Sequence, residues 1–262
     1  AIAGCRRGIF PRRDRMTGSA VAPSACTTIE EVGSTGVGAL TIAFLVLGVS
    51  TIVFIARAGS ATAQKRYYYC SIFICGFATM AYFAMLSGQG WTAIAGCRQF
   101  FYAHYADWAV TFVLTTILLG LVAGAEADLI GGAAGSAVVM IFSLYMGSVS
   151  VVTTVKWFWF LISLMGLAGA VVHFAQSFKA AADLKGGEGS ALYGKVAWIV
   201  ILTWMCYPVV WLFSEGFASF SVSFEVCAYA LLDIVAKVVM GFMVMSAHDV
   251  LGESGSQTRE YV

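Results

Sequence analysis

Seven runs of apolar residues are spaced along the chain, at approximately 36–57, 67–88, 99–123, 129–150, 157–178, 191–213 and 222–247, with short polar connections between them. Each is as long as the roughly 20-residue helix that crosses the hydrocarbon core of a bilayer. In lipid a backbone must satisfy its own N–H and C=O groups, which a helix does within one segment. The pattern therefore predicts an all-α fold, a seven-transmembrane-helix bundle in a single domain over residues 36–250, flanked by tails at 1–35 and 251–262. The longest polar connection, Lys179 to Lys195, contains Asp183, Gly186, Gly187 and Glu188 and reads as a solvated loop. The glycine-rich stretch 120–135 has no strand before it and reads as a loop flanked by packed helices.

Composition strengthens this picture. The chain is 60% hydrophobic and 11% charged, with a mean hydropathy of +0.85, far from a soluble globular domain. A net charge of +1 without a basic face gives no reason to expect a nucleic-acid partner, and the partner implied is membrane lipid. Seven spans place the termini on opposite sides. Among the short loops Arg57, Lys65, Arg66, Lys179, Lys185 and Lys195 fall on one side and Arg98 and Lys156 on the other. Cytoplasmic loops carry the excess of Lys and Arg, so the C-terminus is expected in the cytoplasm and the N-terminus outside.

The first tail carries Arg6, Arg7, Arg12, Arg13 and Arg15, against that bias, and has no apolar core of signal-peptide length. It reads as a disordered tail or a targeting segment, with Met16 a candidate initiator. Of the seven cysteines, Cys70, Cys75, Cys206 and Cys227 lie in apolar segments and read as buried hydrophobes. Spacing leaves open whether Cys97 pairs with Cys5 or Cys26. No cysteine or histidine grouping has metal-ligand spacing, so no metal is expected.

Ionisable residues in mid-span cost about 2.5–3.5 kcal/mol each on insertion scales, so each asks for a partner or a task. Asp107 in the third span and Asp233 and Lys237 in the seventh are of this kind. Asp233 and Lys237 are four apart, on one helical face, and Asp107 brings a second acid from another helix. Two acids for one base make a poor structural lock, since buried ion pairs recover little beyond their desolvation. A lysine in an apolar pocket can instead condense with a carbonyl compound. The surroundings are aromatic. Trp108 follows the acid, Tyr82 lies in the second span, and Trp204, Tyr207 and Trp211 recur on one face of the sixth, around Pro208. That proline should kink the helix and make it a moving part.

YADW with a threonine four after the Asp, W-x-x-YPVVW-x-x-SEG and LLD-x-x-AK resemble the microbial (type 1) rhodopsins, the bacteriorhodopsin-like family, over residues from about 36 to 250. The resemblance implies all-trans retinal bound covalently in the bundle core as a protonated Schiff base on Lys237. By it, Asp107 is the primary counterion and proton acceptor, Asp233 the second counterion, and Thr111 the hydroxyl partner of Asp107. Trp108, Trp204, Tyr207, Pro208 and Trp211, completed by Tyr82, Met140 and Ser163, form the retinal pocket. Glu215 and Glu225 match the proton-release carboxylates. Members often assemble as dimers or trimers, which leaves a homo-oligomer open.

Three positions depart from the pattern of the pumps. Leu118 stands where an acidic internal donor is expected, so reprotonation from the cytoplasm should be slow. His104 replaces an arginine one turn outside the counterion; it is either a satisfied packing residue or a pH-dependent gate on the release path, with Arg98 a partial substitute. Phe112-Val113 replaces Thr-Pro, which should leave the third helix straighter, with Thr115 and Thr116 a turn later. His173 and His248 near the cytoplasmic ends read as interfacial.

The implied function is a slow, light-driven outward proton transporter. The alternatives are a light-gated ion channel, for which Thr115, Thr116 and His104 would line a wetter path, and a sensory photoreceptor. No nucleophile, metal or phosphate-binding constellation suggests an enzyme.

Overall fold

The computed structural model describes residues 26–61 and 64–247. The expected tails, apart from residues 26–35, and with them Cys5, the five arginines, Met16 and His248, lie outside the described residues.

Among the described residues, seven helices are long and apolar enough to cross a membrane: α1 Ser34–Ser60, α2 Lys65–Leu86, α3 Tyr102–Ala123, α4 Ala127–Val149, α5 Thr153–Lys185, α6 Gly187–Gly216 and α7 Val222–Ser246. Large apolar side chains such as Ile42, Ile52, Met165 and Trp198 point outward and are more than half exposed, as a lipid-facing surface requires. The charged residues Asp107, Asp233 and Lys237 and the rings of Trp108, Trp204, Tyr207 and Trp211 face inward. α3 is the most enclosed span and runs unbroken, with no proline or wide turn. Small residues let α4 and α5 approach closely: a Cβ on Gly166 would lie 2.6 Å from the Met140 nitrogen and 2.8 Å from the Ser136 carbonyl oxygen.

The connections depart most from the hydropathy reading. The supposed loop from Lys179 to Lys195 is helical on both sides of a break at Gly186, whose φ of 67° suits glycine. The Asp183 carboxylate, which pairs with Lys179 and accepts from Ser190, secures that corner, so charge in this stretch serves a helix end. The glycine-rich stretch 120–135 is likewise mostly helix: α3 ends at Ala123, Gly124 takes φ 72° beyond it, and α4 begins at Ala127. Its glycines were a misleading cue: Gly120 and Gly132 sit within helices against Ile130 and His173, and only Gly124 marks the connection.

Before α3 the chain forms a hairpin that hydropathy does not announce. Strand β1, Thr92–Ile94, pairs antiparallel with β2, Arg98–Phe100, where the apolar pattern already starts the third span. Glu30 bridges to Arg98 in parallel, with Glu30 N–H donating to the Cys97 carbonyl at 2.8 Å and Gln99 N–H to the Glu30 carbonyl at 2.9 Å. A Cys26–Cys97 disulfide, with Cα atoms 5.4 Å apart, ties this segment to the hairpin turn. The four cysteines of the spans are unpaired, but only Cys75 is buried; Cys70 and Cys227 are half-buried and Cys206 is exposed. Reading all four as core residues was therefore wrong, because a span exposes part of its circumference to lipid and a small thiol is tolerated there.

Among the described residues three helices contain a π-helical turn: His173–Phe178 in α5, Leu212–Gly216 in α6 and Ile234–Val239 in α7. The second follows Pro208, whose missing N–H already interrupts the ladder. The third contains Lys237. Such turns are frequent at functional sites.

Candidate functional site

Lys237 is 2% exposed in the middle of α7, and its ammonium meets two carboxylates. One is Asp233, a turn earlier on the same helix, at 3.0 Å. The other is Asp107 of α3, in direct contact through Oδ2. The two acids are held differently. Asp233 accepts from Tyr82 at 2.8 Å, Tyr207 at 2.7 Å and the Trp108 indole at 3.2 Å, so three neutral donors from three helices fix it. Asp107 pairs with Lys237 through Oδ2, and its Oδ1 is buried without a hydrogen bond. The acid with spare acceptor capacity is thus Asp107.

This geometry refines two expectations. Thr111 donates to the main-chain carbonyl of Asp107 at 3.0 Å, the i−4 bond open to a helical threonine, and its hydroxyl stays beside the carboxylate. Tyr82 and Tyr207 do more than wall a pocket, since their hydroxyls orient Asp233.

Around the lysine, Trp108, Trp204, Tyr207, Trp211, Met140 and Ser163 are all buried. Trp211 donates to Ser148 at 2.7 Å and stacks on Phe160 with centroids 4.9 Å apart. Gly147 makes room for it, since a Cβ there would lie 2.9 Å from the Trp211 ring. Phe112, in place of the threonine, stacks on Trp204 at 4.2 Å. A buried primary amine, an adjacent acid with an unpartnered oxygen and an aromatic lining suit an apolar aldehyde cofactor that ends as a cationic imine.

Outside this cluster lies a second one, and sequence reading found only part of it. Arg98, 4% exposed, donates to Glu225 at 2.5 Å, Glu30 at 3.3 Å and the Phe220 carbonyl at 2.7 Å. Glu30 also accepts from Val222 N–H at 3.2 Å. Glu215 accepts from Tyr105 at 2.7 Å, and its main-chain oxygen accepts from Lys156 at 2.7 Å. Arg98 and Lys156, the two positive charges expected in loops on this side, are therefore turned inward. Glu30 and Tyr105 were missed; Tyr105 stands two residues before Asp107, but nothing local in the sequence marks Glu30.

His104 lies between the clusters. It is 1% exposed, stacks on Trp108 with centroids 5.3 Å apart, and meets Tyr82 edge-on at 5.5 Å. It packs well, but neither ring nitrogen has a hydrogen-bond partner, so it is not the satisfied core histidine of the simpler reading. On the far side of Asp107, Leu118 is fully buried and Thr116 donates to the Phe112 carbonyl at 2.9 Å. His173 is half-buried against Gly132.

A family model described as bacteriorhodopsin-like protein matches residues 37–251. Archaerhodopsin-2 of Halobacterium sp. (strain aus-2) is 29% identical over 222 residues, which cover 82% of this chain and 86% of that protein. Bacteriorhodopsin of Haloterrigena sp. (strain arg-4) is 30% identical over 215 residues, covering 79% and 86%. The solved structure of a light-driven proton pump from Coccomyxa subellipsoidea superposes with a TM-score of 0.82 at 26% identity, covering 84% of this chain and 100% of that one.

Proposed function

The chain belongs to the bacteriorhodopsin-like family of retinal-bearing integral membrane proteins, and from that premise we propose that it is a light-driven outward proton transporter with retinal, all-trans in the dark, bound as a protonated Schiff base on Lys237. One observation carries the reading: a buried Lys237 stands between an acid saturated with donors, Asp233, and an acid with an open oxygen, Asp107. Retinal, when bound, supplies light absorption and an isomerisation that displaces the cationic nitrogen. The protein supplies the rest. Trp108, Trp204, Tyr207 and Trp211 exclude water and confine the group, Asp233 holds the resting charge balance, and Asp107 receives the proton.

Direction follows from asymmetry. Arg98, Glu215 and Glu225 form a polar exit on one side of Asp107, whereas Leu118 offers no carboxyl on the other. The exit side is outside the cell: disulfides such as Cys26–Cys97 persist in oxidising compartments, and the solvated loop lysines and arginines lie on the opposite face. The C-terminus is then cytoplasmic. The apolar packing around Leu118, Thr116 and Phe112 supports alternating access more than an open pore.

The test is expression with all-trans retinal, with Lys237→Ala as control, followed by photocurrents. A visible band present only in the unmutated protein, and an outward current that keeps its sign across membrane voltages, are expected. No band in either protein would sink the retinal assignment. A current reversing at an ion's equilibrium potential would make the protein a channel.

A further inference from the structure

Glu225, Tyr229, Asp233 and Lys237 follow one another along α7 at intervals of four. They form one buried column, the outer cluster at one end and the lysine at the other. Tyr229 is the member without an assigned task. Its hydroxyl is buried and has no hydrogen-bond partner, although a buried tyrosine normally finds one. Its ring lies 5.5 Å from that of His104, whose two nitrogens are also unpartnered, and 4.7 Å from that of Trp108. His104 in turn rests on Trp108 and Tyr82, which both donate to Asp233. Further unpartnered atoms mark both ends of this row: Asp107 Oδ1 on the inner side, Glu215 Oε2 and Arg98 Nε on the outer.

Buried polar atoms in folded proteins are bonded to protein or to ordered water, and a string of them between two ionic clusters is a place for water. We propose that His104 and Tyr229, joined by buried water, form the proton path from the Asp107 side to the Arg98, Glu215 and Glu225 cluster. The chemistry needs no other reactant. A proton accepted on one nitrogen of His104 leaves from the other. The Tyr229 oxygen takes a proton from that side as its own leaves toward Glu215 or Glu225. One proton has crossed, neither residue has changed charge, and the imidazole is left in its other tautomer. The charged and titratable groups around His104 are Asp107 of its own helix, Asp233, Lys237 and Tyr229 of α7, and Tyr82 of α2. Arg98 is pinned by Glu225, Glu30 and the Phe220 carbonyl, so it organises the exit and does not travel along it.

This inference rests on outward proton transport, and the experiment separates the two. Release is timed after a flash with a pH indicator in the unmutated protein, Tyr229→Phe and His104→Phe, while the loss and recovery of the visible band is followed in parallel. Both variants keep an aromatic ring and remove the proton-carrying atoms; Tyr229→Phe deletes only the hydroxyl, whereas His104→Phe also enlarges the ring. Release should be delayed by about tenfold or more in each, with little further delay in the double variant, while the initial loss of the band is unchanged. In the dark, nitrogen-15 NMR should show a water-bonded His104 ring, assigned by its disappearance in His104→Phe, whose signals shift in Tyr229→Phe. Release unchanged in both variants overturns the path. No release from the unmutated protein overturns proton transport and the path with it.

Discussion

The Arg98 guanidinium lies 2.5 Å from the Glu225 carboxylate, and it reaches that acid from a hairpin outside the bundle. Both groups are buried. Removing one partner of a buried pair strands the other charge, at a cost of roughly 3–5 kcal/mol. Arg98→Gln should therefore accelerate thermal loss of the visible band markedly. Glu225→Gln in the same chain should recover part of that loss, and a double-mutant cycle of bleaching temperatures reads the coupling. Equal stability of the Arg98→Gln and unmutated proteins would show the pair to be dispensable.

The hairpin is held in place by the Cys26–Cys97 bond, which closes a loop over a sequence separation of 71 residues. A natural disulfide of this kind stabilises by about 2–4 kcal/mol. Cys26→Ser with Cys97→Ser should leave the colour unaltered, since Lys237 lies in a different cluster, but should lower the bleaching temperature and loosen Glu30 from Arg98. Proton release should slow with it. A variant with unchanged bleaching and release would mean that the main-chain bonds between Glu30, Cys97 and Gln99 suffice to hold the hairpin.

The spans and the Asp107, Asp233 and Lys237 constellation were legible because a membrane imposes two simple rules: apolar length for a helix, and a high cost for any charge inside it. The same rules are silent on connections. The helical corner at Gly186 and the hairpin of Thr92–Ile94 with Arg98–Phe100 depend on turn geometry that hydropathy does not register, and the bridge from Glu30 to Arg98 joins residues that no short window of sequence contains. Tyr229 was readable in principle, since it repeats the four-residue spacing of its charged neighbours, but an aromatic residue in a span looks like packing until its hydroxyl is seen to be orphaned.

The two acids should separate under mutation. Asp107→Asn keeps the shape but removes the acceptor with spare capacity, so the visible band should move and light-driven proton release should fall at least about a hundredfold. Asp233→Asn instead leaves Tyr82, Tyr207 and Trp108 competing for a single carbonyl oxygen. Its main effect should be poor pigment formation and lower stability, scored as absorbance recovered per protein after adding retinal. If Asp233→Asn forms pigment normally but stops release, the assignment of the two acids is reversed.

Leu118 lies eleven residues beyond Asp107 on α3, about 16 Å along the helix axis at 1.5 Å per residue, and is wholly buried among apolar side chains. With no carboxyl there, the proton that restores Lys237 must come from bulk water, and its arrival rate follows proton concentration. Recovery of the visible band should then slow about tenfold for each pH unit above neutrality. Leu118→Glu places a proton donor on that path. Burial favours its neutral form, in which it can give a proton up, so recovery should become faster and nearly independent of pH from about 6 to 8. Flash recovery measured across this range in both proteins decides the matter. If recovery in the unmutated protein is already flat with pH, a donor other than a carboxyl at 118 serves the cytoplasmic half, and slow turnover does not follow from Leu118.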